Sequence, residues 1–249
     1  QMGKQSIIFL GSKPIGYHCL DYLISQKEAL ALDIVGVLCH ENQHFDAQFS
    51  LTQLAKQHQI SVLESLAEMP NVDFIYSVQY HQILKKEDIQ KAGIIALNLH
   101  MAPLPEYRGC NQFSFALLDN KKEFGTTIHQ LDAQIDHGDL LFEKRFPIPE
   151  NCWIEQLYSL TYDASLLLFK ESLKNIIYHN YTLTSQQSLV EERGSQLHYR
   201  KDIHEIKKID LNWDQETIMR HIRATSMPGF EPPYTMIGDK KIYFSNQWH

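Results

Sequence analysis

The sequence predicts an α/β fold built on a doubly wound, mostly parallel sheet of the Rossmann type. Its first half alternates short apolar runs with amphipathic stretches, which is the order of strands and helices in such sheets. The first apolar run ends at Gly11, and Pro14 then suits the first turn of a helix. Ligands of these sheets bind beyond the carboxyl ends of the strands, so polar residues at those ends are candidate functional residues.

Each element follows from a local pattern of apolar residues. In the first half, strands are predicted at 6–10, 34–38, 60–63, 73–78 and 94–99, and helices at 14–22, 51–58 and 85–90. Later come a helix at 113–118, two antiparallel strands at 126–131 and 139–146, and a long amphipathic helix at 152–177. That helix follows from the spacing of Trp153, Leu157, Leu160 and Ala164.

The character of the chain changes after Tyr181, where polar turns become frequent. A helix is predicted near 215–225, and two aromatic-rich strands near 235–237 and 241–244. We therefore predict two units, a main domain over 1–180 and a small mixed α/β C-terminal subdomain over 181–249.

Composition limits the possible functions. The chain has 249 residues and 43% hydrophobic content, with 23 basic and 30 acidic residues and a formal net charge of −7. This balance lacks the electrostatic footprint of a nucleic-acid-binding protein. The four cysteines form no CxxC, so we expect reduced thiols. No apolar run approaches the roughly 20 residues that span a bilayer, and no secretion signal is evident, so a cytoplasmic enzyme is expected.

The pair Asn98 and His100 lies at the end of the predicted strand 94–99. Residues two apart in an extended chain point the same way, so both side chains should share one face. An amide beside an imidazole suits a site that stabilises an oxyanion and moves a proton. Taken alone, the pair is better explained as a capped strand end with a structural histidine than as a catalytic site.

Two loops before and after this pair carry further candidates. The turn 9–16 lacks both GxGxxG and the GK[ST] of a P-loop, which disfavours an NAD-dependent dehydrogenase. Ser12 and Lys13 in that turn could contact an anionic group, although a plain strand–helix turn explains them as well. The loop 101–109 is stiffened by two prolines, and its Tyr107 and Arg108 could supply a stacking surface and a planar cation.

The segment 125–138 contains two histidines and two aspartates, among them His129, Asp132 and Asp136. A metal site would need a compact set of ligands at familiar spacing, and none closes here. We expect no metal.

Together these segments resemble the formyltransferases that use N10-formyltetrahydrofolate, a family that includes methionyl-tRNA, glycinamide ribonucleotide and sugar N-formyltransferases. The pattern reads Asn98-Leu-His100, Leu104-Pro through Gly109, Gly125-Thr-Thr-Ile-His129 and Asp136-His-Gly138. The resemblance implies that Asn98, His100 and Asp136 are catalytic, with His100 as proton acceptor and Asp136 orienting it. An intact trio argues against a non-catalytic binding module.

The resemblance also implies a folate co-substrate. Its pterin would sit between the segment 76–84 and the loop 132–136. The implied contact residues are Tyr76, Gln79, Tyr80, His81, Ile83, Leu84, Asp132 and Ile135.

The acceptor is expected to be a nucleotide-linked aminodeoxysugar, because the segment 77–84 and the loop 100–111 look most like those of sugar N-formyltransferases. The specific expectation is dTDP-4-amino-4,6-dideoxyglucose, used for surface polysaccharide (O-antigen) synthesis. Open alternatives are methionyl-tRNA, a UDP-linked aminosugar and a dTDP-3-amino sugar. Such enzymes are typically homodimers through their C-terminal part, and Trp213 and Tyr234 could stack on a base or fill that interface. The candidate sugar-nucleotide contacts are Ser12, Lys13, Tyr107, Arg108, Asn111, Arg200 and Lys201.

Overall fold

The computed structural model describes residues 3–41 and 47–246. Within them, a central six-stranded sheet has the order β2-β1-β3-β4-β6-β7. Strands β1 to β4 run parallel to one another. Strand β6 is antiparallel to β4, and β7 is antiparallel to β6. The doubly wound, mostly parallel α/β sheet is therefore confirmed. Its strands are β1 (Gln5–Gly11), β2 (Leu32–Cys39), β3 (Val72–Val78), β4 (Ala92–His100), β6 (Glu123–Gln130) and β7 (Leu140–Pro147).

Helices cover the sheet, and two short strand pairs lie outside it. The helices are α1 (Lys13–Gln26), α2 (Leu51–Gln57), α3 (Lys86–Ile89), α4 (Gln112–Leu118), α5 (Ile154–Ile177), α6 (Val190–Arg193), α7 (Ile203–Lys207) and α8 (Gln215–Thr225). Strand β5 (Tyr107–Gly109) pairs in parallel with β8 (Gln196–His198). Strands β9 (Tyr234–Ile237) and β10 (Lys240–Tyr243) form an antiparallel hairpin.

The alternation of side chains along β1 explains why both faces of the sheet are covered. Ile7 and Phe9 belong to one buried cluster, which includes residues of α1 and α5. Ile8 and Leu10 belong to a second cluster on the opposite face. Since both faces are buried, the strand is apolar throughout, as in other parallel sheets.

One predicted strand is wrong. The segment 60–63 forms only an isolated parallel bridge between Val37 and Val62 at the edge of β2. Two backbone bonds make this contact, one from Val37 N to Ser61 O and one from Leu63 N to Val37 O. The chain then turns away, so the apolar residues are held by packing and no ladder continues.

The C-terminal residues contact the main sheet region through several elements. Thr184 pairs with Leu140, β8 pairs with β5, and Ala224 of α8 is buried in the same cluster as Tyr107. The division of the chain at residue 180 stays a prediction. Among the described residues, no helix combines the length and apolarity that a membrane span requires.

Candidate active site

The site lies at the carboxyl end of β4, where the sheet changes from parallel to antiparallel pairing. Asn98 of β4 is paired with His129 of β6, and His100 with Thr127. Residues at paired positions lie on the same face of the sheet, so the amide and both imidazoles face one place. The loop after β6 brings Asp136 to that same place.

Asp136 lies between the two imidazoles. Its Oδ2 is 3.5 Å from His100 Nδ1, and its Oδ1 is 3.4 Å from His129 Nε2. Asn98 Nδ2 is 3.2 Å from His129 Nε2. The two histidine side chains are 7% and 1% exposed, and that of Asp136 is 14% exposed, so these groups interact with little screening by solvent.

The charge state of Asp136 follows from these neighbours. Burial alone would raise the pKa of its carboxyl. Electrostatic attraction by His100, together with the hydrogen bond and attraction of His129, outweighs burial and holds the pKa of Asp136 well below its usual range. A backbone hydrogen bond from Gly109 N at 2.9 Å acts in the same direction. Asp136 is therefore an anion at neutral pH.

Two glycines fix the loop that carries Asp136. Gly109 has a φ of +84°, and a Cβ there would lie 2.2 Å from the carbonyl oxygen of His198. A Cβ on Gly138 would lie 1.6 Å from Gln130 O, so any residue other than glycine would clash there. The glycines of the Asp136-x-Gly138 and Leu104–Gly109 motifs are therefore needed for close backbone approach.

The loop is further held by polar side chains. Arg108 Nε donates to Ile135 O at 2.9 Å. Gln186 Nε2 donates to the carbonyls of Asp136 and Gly138, each at 2.8 Å. Asp136 itself has a φ of +47°, a left-handed conformation that Asp tolerates better than most residues. Its carboxylate is thus positioned by the loop as much as by its own contacts.

Both ring nitrogens of His100 are engaged inside the protein. Nε2 lies 2.7 Å from the carbonyl oxygen of Tyr107. A carbonyl oxygen only accepts, so Nε2 carries a proton and donates it. Nδ1 faces the carboxylate of Asp136 at 3.5 Å. The ring is arranged as a hydrogen-bond donor.

The structure brings the predicted trio Asn98, His100 and Asp136 together and adds His129 to it. His129 also has a contact from its Nδ1 to Gln130 O at 2.9 Å, which fixes the ring. The sequence signal for it is the His of Gly125-Thr-Thr-Ile-His129, which was not predicted to be catalytic. Its pairing with Asn98 across the strands could not be read without the register of β4 and β6.

Two predicted contact residues need correction because their side chains are buried. Tyr76 is 0% exposed and its ring packs against Phe169 in the core, so its side chain offers no surface to folate. Tyr107 is 1% exposed and its hydroxyl donates to Asp119 at 2.7 Å. It cannot stack on a ligand, and its contribution to the site is the carbonyl that faces His100.

The other proposed sugar-nucleotide residues lie in two places: Ser12 and Lys13 at the turn between β1 and α1, and Asn111, Arg200 and Lys201 at the rim beside β8. Ser12 is buried and donates its hydroxyl to Gln79 O, whereas Lys13 is exposed. Asn111 Nδ2 donates to the carbonyls of Tyr199 and Arg200, at 2.9 and 3.3 Å. Arg200 and Lys201 are exposed directly beyond β8, next to Asn111.

The proposed base-stacking residues contact other side chains. Trp213 packs on His221 with ring centroids 4.5 Å apart, and Lys241 Nζ lies 4.3 Å from the centre of the Tyr234 ring. Both aromatic rings therefore have partners within the chain.

Four of the proposed folate residues, Gln79, Tyr80, His81 and Ile83, follow β3 and are exposed or half-buried. Gln79 has a left-handed φ of +57°, which turns the chain out of the strand. His81 lies between Tyr80 and His40, with ring centroids 4.7 and 4.3 Å away. Burial lowers the pKa of His81, and nearby His40 lowers it further. Ile83 is 67% exposed, whereas Leu84 is buried.

The loop 132–136, which was also predicted to contact folate, is held by the side chain of Asp132. Its Oδ2 is 2.6 Å from His137 Nδ1, and its Oδ1 accepts from Gln134 N. Ile135 is half-buried beside it. Within residues 3–41 and 47–246, no cluster of His, Cys, Asp and Glu could hold a metal ion.

Comparison with known proteins identifies a family and several solved structures that are similar to this chain. The sequence matches the family described as formyl transferase over residues 21–171. The N-formyltransferase of Helicobacter canadensis, solved with folinic acid and dTDP-3-aminofucose, is 25% identical with a TM-score of 0.78. That superposition covers 97% of this chain and 86% of the other. WlaRD, a sugar 3N-formyl transferase solved with dTDP and 5-N-formyl-THF, is 26% identical with a TM-score of 0.78. It covers 100% of this chain and 88% of the other.

A relative with a different acceptor matches as well. The methionyl-tRNA formyltransferase of Lactobacillus gasseri is 28% identical over 196 residues, which are 73% of this chain and 61% of the relative. This chain spans only part of the length of three curated relatives that it matches, including the Lactobacillus gasseri enzyme. The matched share of each relative is between 36% and 63%.

Proposed function

We propose that this chain, which belongs to the formyl transferase family, transfers a formyl group from N10-formyltetrahydrofolate to the amine of a nucleotide-linked aminosugar. The observation that carries the proposal is the convergence of Asn98, His100 and His129 on one buried anion, Asp136. Acyl transfer to an amine needs hydrogen-bond donors for an oxyanion and a group that moves a proton. Asn98 and His100 supply both.

The folate co-substrate provides the activated formyl group, and the residues on either side of the trio fit its shape. Exposed Ile83 and half-buried Ile135 give apolar walls for a flat ring system. Backbone groups of the loop 132–136 can read the polar edge of such a ring. Tyr80 and His81 extend the surface outward. The side chain of Tyr76 has no part in this binding.

In the chemical step, the amine nitrogen forms a bond to the formyl carbon, and negative charge develops on the formyl oxygen. Asn98 Nδ2 and the Nε2–H of His100 donate hydrogen bonds to that oxygen. When the carbon–nitrogen bond to the donor breaks, His100 gives its proton to the departing nitrogen and then takes the proton of the attacking amine. Asp136 stays ionised and stabilises the cationic ring before and after this exchange.

This sequence requires one rearrangement at the site. In the structure, the Nε2–H of His100 donates its hydrogen bond to the carbonyl oxygen of Tyr107. Substrate binding has to open that contact, and Tyr107 lies on the short strand β5, which Arg108 and Gly109 tie to the loop of Asp136. We infer that β5 and this loop respond together when the acceptor binds.

The proposed acceptor is a dTDP-linked aminodeoxysugar, in particular dTDP-4-amino-4,6-dideoxyglucose. Exposed Arg200 and Lys201, next to Asn111 at the rim of the site, suit a diphosphate. A dTDP-3-amino sugar is the second candidate, because the two similar solved enzymes are described with a 3-amino sugar or as acting at that position. We assign the product to surface polysaccharide synthesis as part of the same proposal.

The acceptor is tested by a turnover screen with N10-formyltetrahydrofolate. The panel holds dTDP-4-amino and dTDP-3-amino sugars, a UDP-linked aminosugar and methionyl-tRNA. We expect a dTDP-linked sugar to be formylated fastest, since a net charge of −7 opposes tRNA. If only methionyl-tRNA were formylated, the sugar proposal would fail while formyl transfer would stand.

We further propose that the chain works as a homodimer through its C-terminal hairpin β9–β10. Large apolar side chains on or near this hairpin are exposed, among them Phe230 (69%), Ile237 (64%) and Ile242 (46%). Clustered exposed apolar side chains favour association.

A further inference from the structure

A cavity of about 710 Å³ lies between the C-terminal end of α4, the segment 148–152 that follows β7, and α8, apart from the catalytic residues. It opens at the C-terminal end of α4, whereas Asn111, at the rim of the active site, caps the N-terminal end of that helix. None of its lining residues is among the catalytic, folate or sugar contacts proposed above. Its volume falls within the roughly 300–1,000 Å³ of small-molecule sites.

Cationic side chains converge on this cavity. Lys121, Lys122, Arg220 and Arg223 all line it. Arg220 is paired with Glu216 on its own helix at 2.9 Å. The other three form no ion pair with any residue that the structure describes, since none appears among its salt bridges.

The charge of the cavity is opposite to that of the chain. Once the Arg220–Glu216 pair is set aside, three cations face a single carboxylate, Glu150, which leaves a surplus of two positive charges. The whole chain carries −7. A concave surface with such a local surplus concentrates small anions.

The floor of the cavity is apolar. Leu117 and Cys152 are buried, and Ile148 and Met219 complete the apolar lining. Arg223 lies close enough to Cys152 for its charge to lower the pKa of that thiol, which burial raises overall. Arg223 and Cys152 both line the cavity, so the guanidinium lies beside this floor. Such a site can hold an organic body against the floor and phosphates against the cations.

We propose that this cavity is a second binding site, for a small organic diphosphate of nucleotide size. Three unpaired cations suit a group with two or more negative charges, and the apolar floor suits the rest of such a molecule. A nucleic acid fits less well, because the basic residues line a concave pocket on an acidic chain and form no stripe along its surface.

Calorimetric titration of the full chain at low ionic strength tests the site, with pyrophosphate and dTDP as probes. The test variant is Lys122→Gln/Arg223→Gln. Its control, Lys27→Gln/Lys56→Gln, removes the same charge elsewhere on the surface. We expect the test variant to bind pyrophosphate at least about tenfold more weakly than wild type, since charge-assisted hydrogen bonds are lost. The control should match wild type.

Any pyrophosphate bound at the active site is common to all these proteins, so the difference between them reports on the cavity alone. Each single variant, Lys122→Gln or Arg223→Gln, should weaken binding several-fold, which covers the case that the double variant is unstable. Equal affinity in wild type and in the variants would overturn the proposal. The proposal would also be overturned if a DNA duplex bound wild type more tightly than dTDP did and failed to bind the test variant.

Discussion

Asp136 is the residue on which the site depends. It accepts from the backbone of Gly109 and faces His100 and His129 at 3.5 and 3.4 Å. A buried carboxylate is stable only with such partners. Because its pKa is held well below the usual range, its contacts stabilise the fold above the pKa of an unfolded Asp, about 3.9. That stabilisation is lost as the pH falls toward the lower, folded-state pKa.

The variant Asp136→Asn tests this assignment of charge. Wild type should lose unfolding free energy between pH 7 and pH 3, and the variant should lose less, because it has no carboxylate to protonate there. Urea unfolding at both pH values measures the two losses. An identical loss in both proteins would contradict the depressed pKa of Asp136.

His129 is a positioning residue for Asp136, and its substitution should affect turnover more than binding. In His129→Gln the carboxylate loses the ring that faces its Oδ1, so we expect kcat to fall by on the order of 10². KM for both substrates should change little. The control is His58→Gln, on the exposed end of α2. An unchanged kcat, or a rise in KM alone, would contradict the role of His129 in positioning Asp136.

Single residues of the site were predictable where a short-range rule applied. Asn98 and His100 share a face because they are two apart in a strand. The same rule applied to Phe74, Tyr76 and Val78 assigns Tyr76 to the core, where it lies. Tyr107 was not predictable, because it is buried by residues distant in the chain, among them Phe124 and Ala224.

At the level of elements, charged pairs connect the catalytic loops to the sheet. Arg145 of β7 holds Glu106 with two bonds, at 2.6 and 3.0 Å, and lies 3.5 Å from Glu143. Glu143 in turn binds Arg193 of α6 through two bonds, at 2.9 and 3.0 Å. The network ties β7, the loop before β5 and a C-terminal helix together.

Removing Arg145 should therefore destabilise the fold. We expect Arg145→Gln to lower the unfolding free energy by about 1–3 kcal/mol, because Glu106 would be left partly buried without its partner. The control is the neighbouring Lys144→Gln, whose exposed pair with Glu171 should contribute less than about 1 kcal/mol. Denaturant unfolding measures both, and equal losses would show that the network adds no stability.

Most elements were predictable because their periodicity is strong, and the failures have local causes. The helix α8 agrees with the helix predicted near 215–225, and in the structure Asp214 caps it by accepting from Thr217 N. Helix α1 continues past the predicted Tyr22 to Gln26, because its apolar face extends to Leu23 and Ile24. The segment 60–63 has the composition of a strand but meets β2 at one point only. Composition cannot show whether a partner strand is available.

For the whole molecule, the exposed hairpin predicts the state of assembly. The substitutions Ile237→Asp and Ile242→Asp together should convert a dimer into a monomer, because two charges would be placed on the proposed interface. Light scattering after gel filtration measures the mass. The control is Leu167→Asp, an equally exposed apolar position on α5, which should remain dimeric. A wild-type chain that is monomeric at high concentration would contradict the proposal.

The mostly parallel sheet and the shared face of Asn98 and His100 were predictable from sequence, whereas the proposed acceptor rests on side chains at the rim and on similar enzymes. Arg200 and Lys201 reach the rim only because β8 pairs with β5. That parallel pairing joins residues far apart in the chain, and no local pattern in residues 196–198 indicates it.

The central claim is that this chain transfers a formyl group by means of Asn98, His100 and Asp136. The most direct measurement follows a labelled formyl group from N10-formyltetrahydrofolate to dTDP-aminosugars by mass spectrometry. The assay compares wild type with His100→Asn after both are shown to be folded. We predict a formylated sugar with wild type and a rate at least about 10²-fold lower with the variant. Formylation at the wild-type rate by the folded variant would contradict the account.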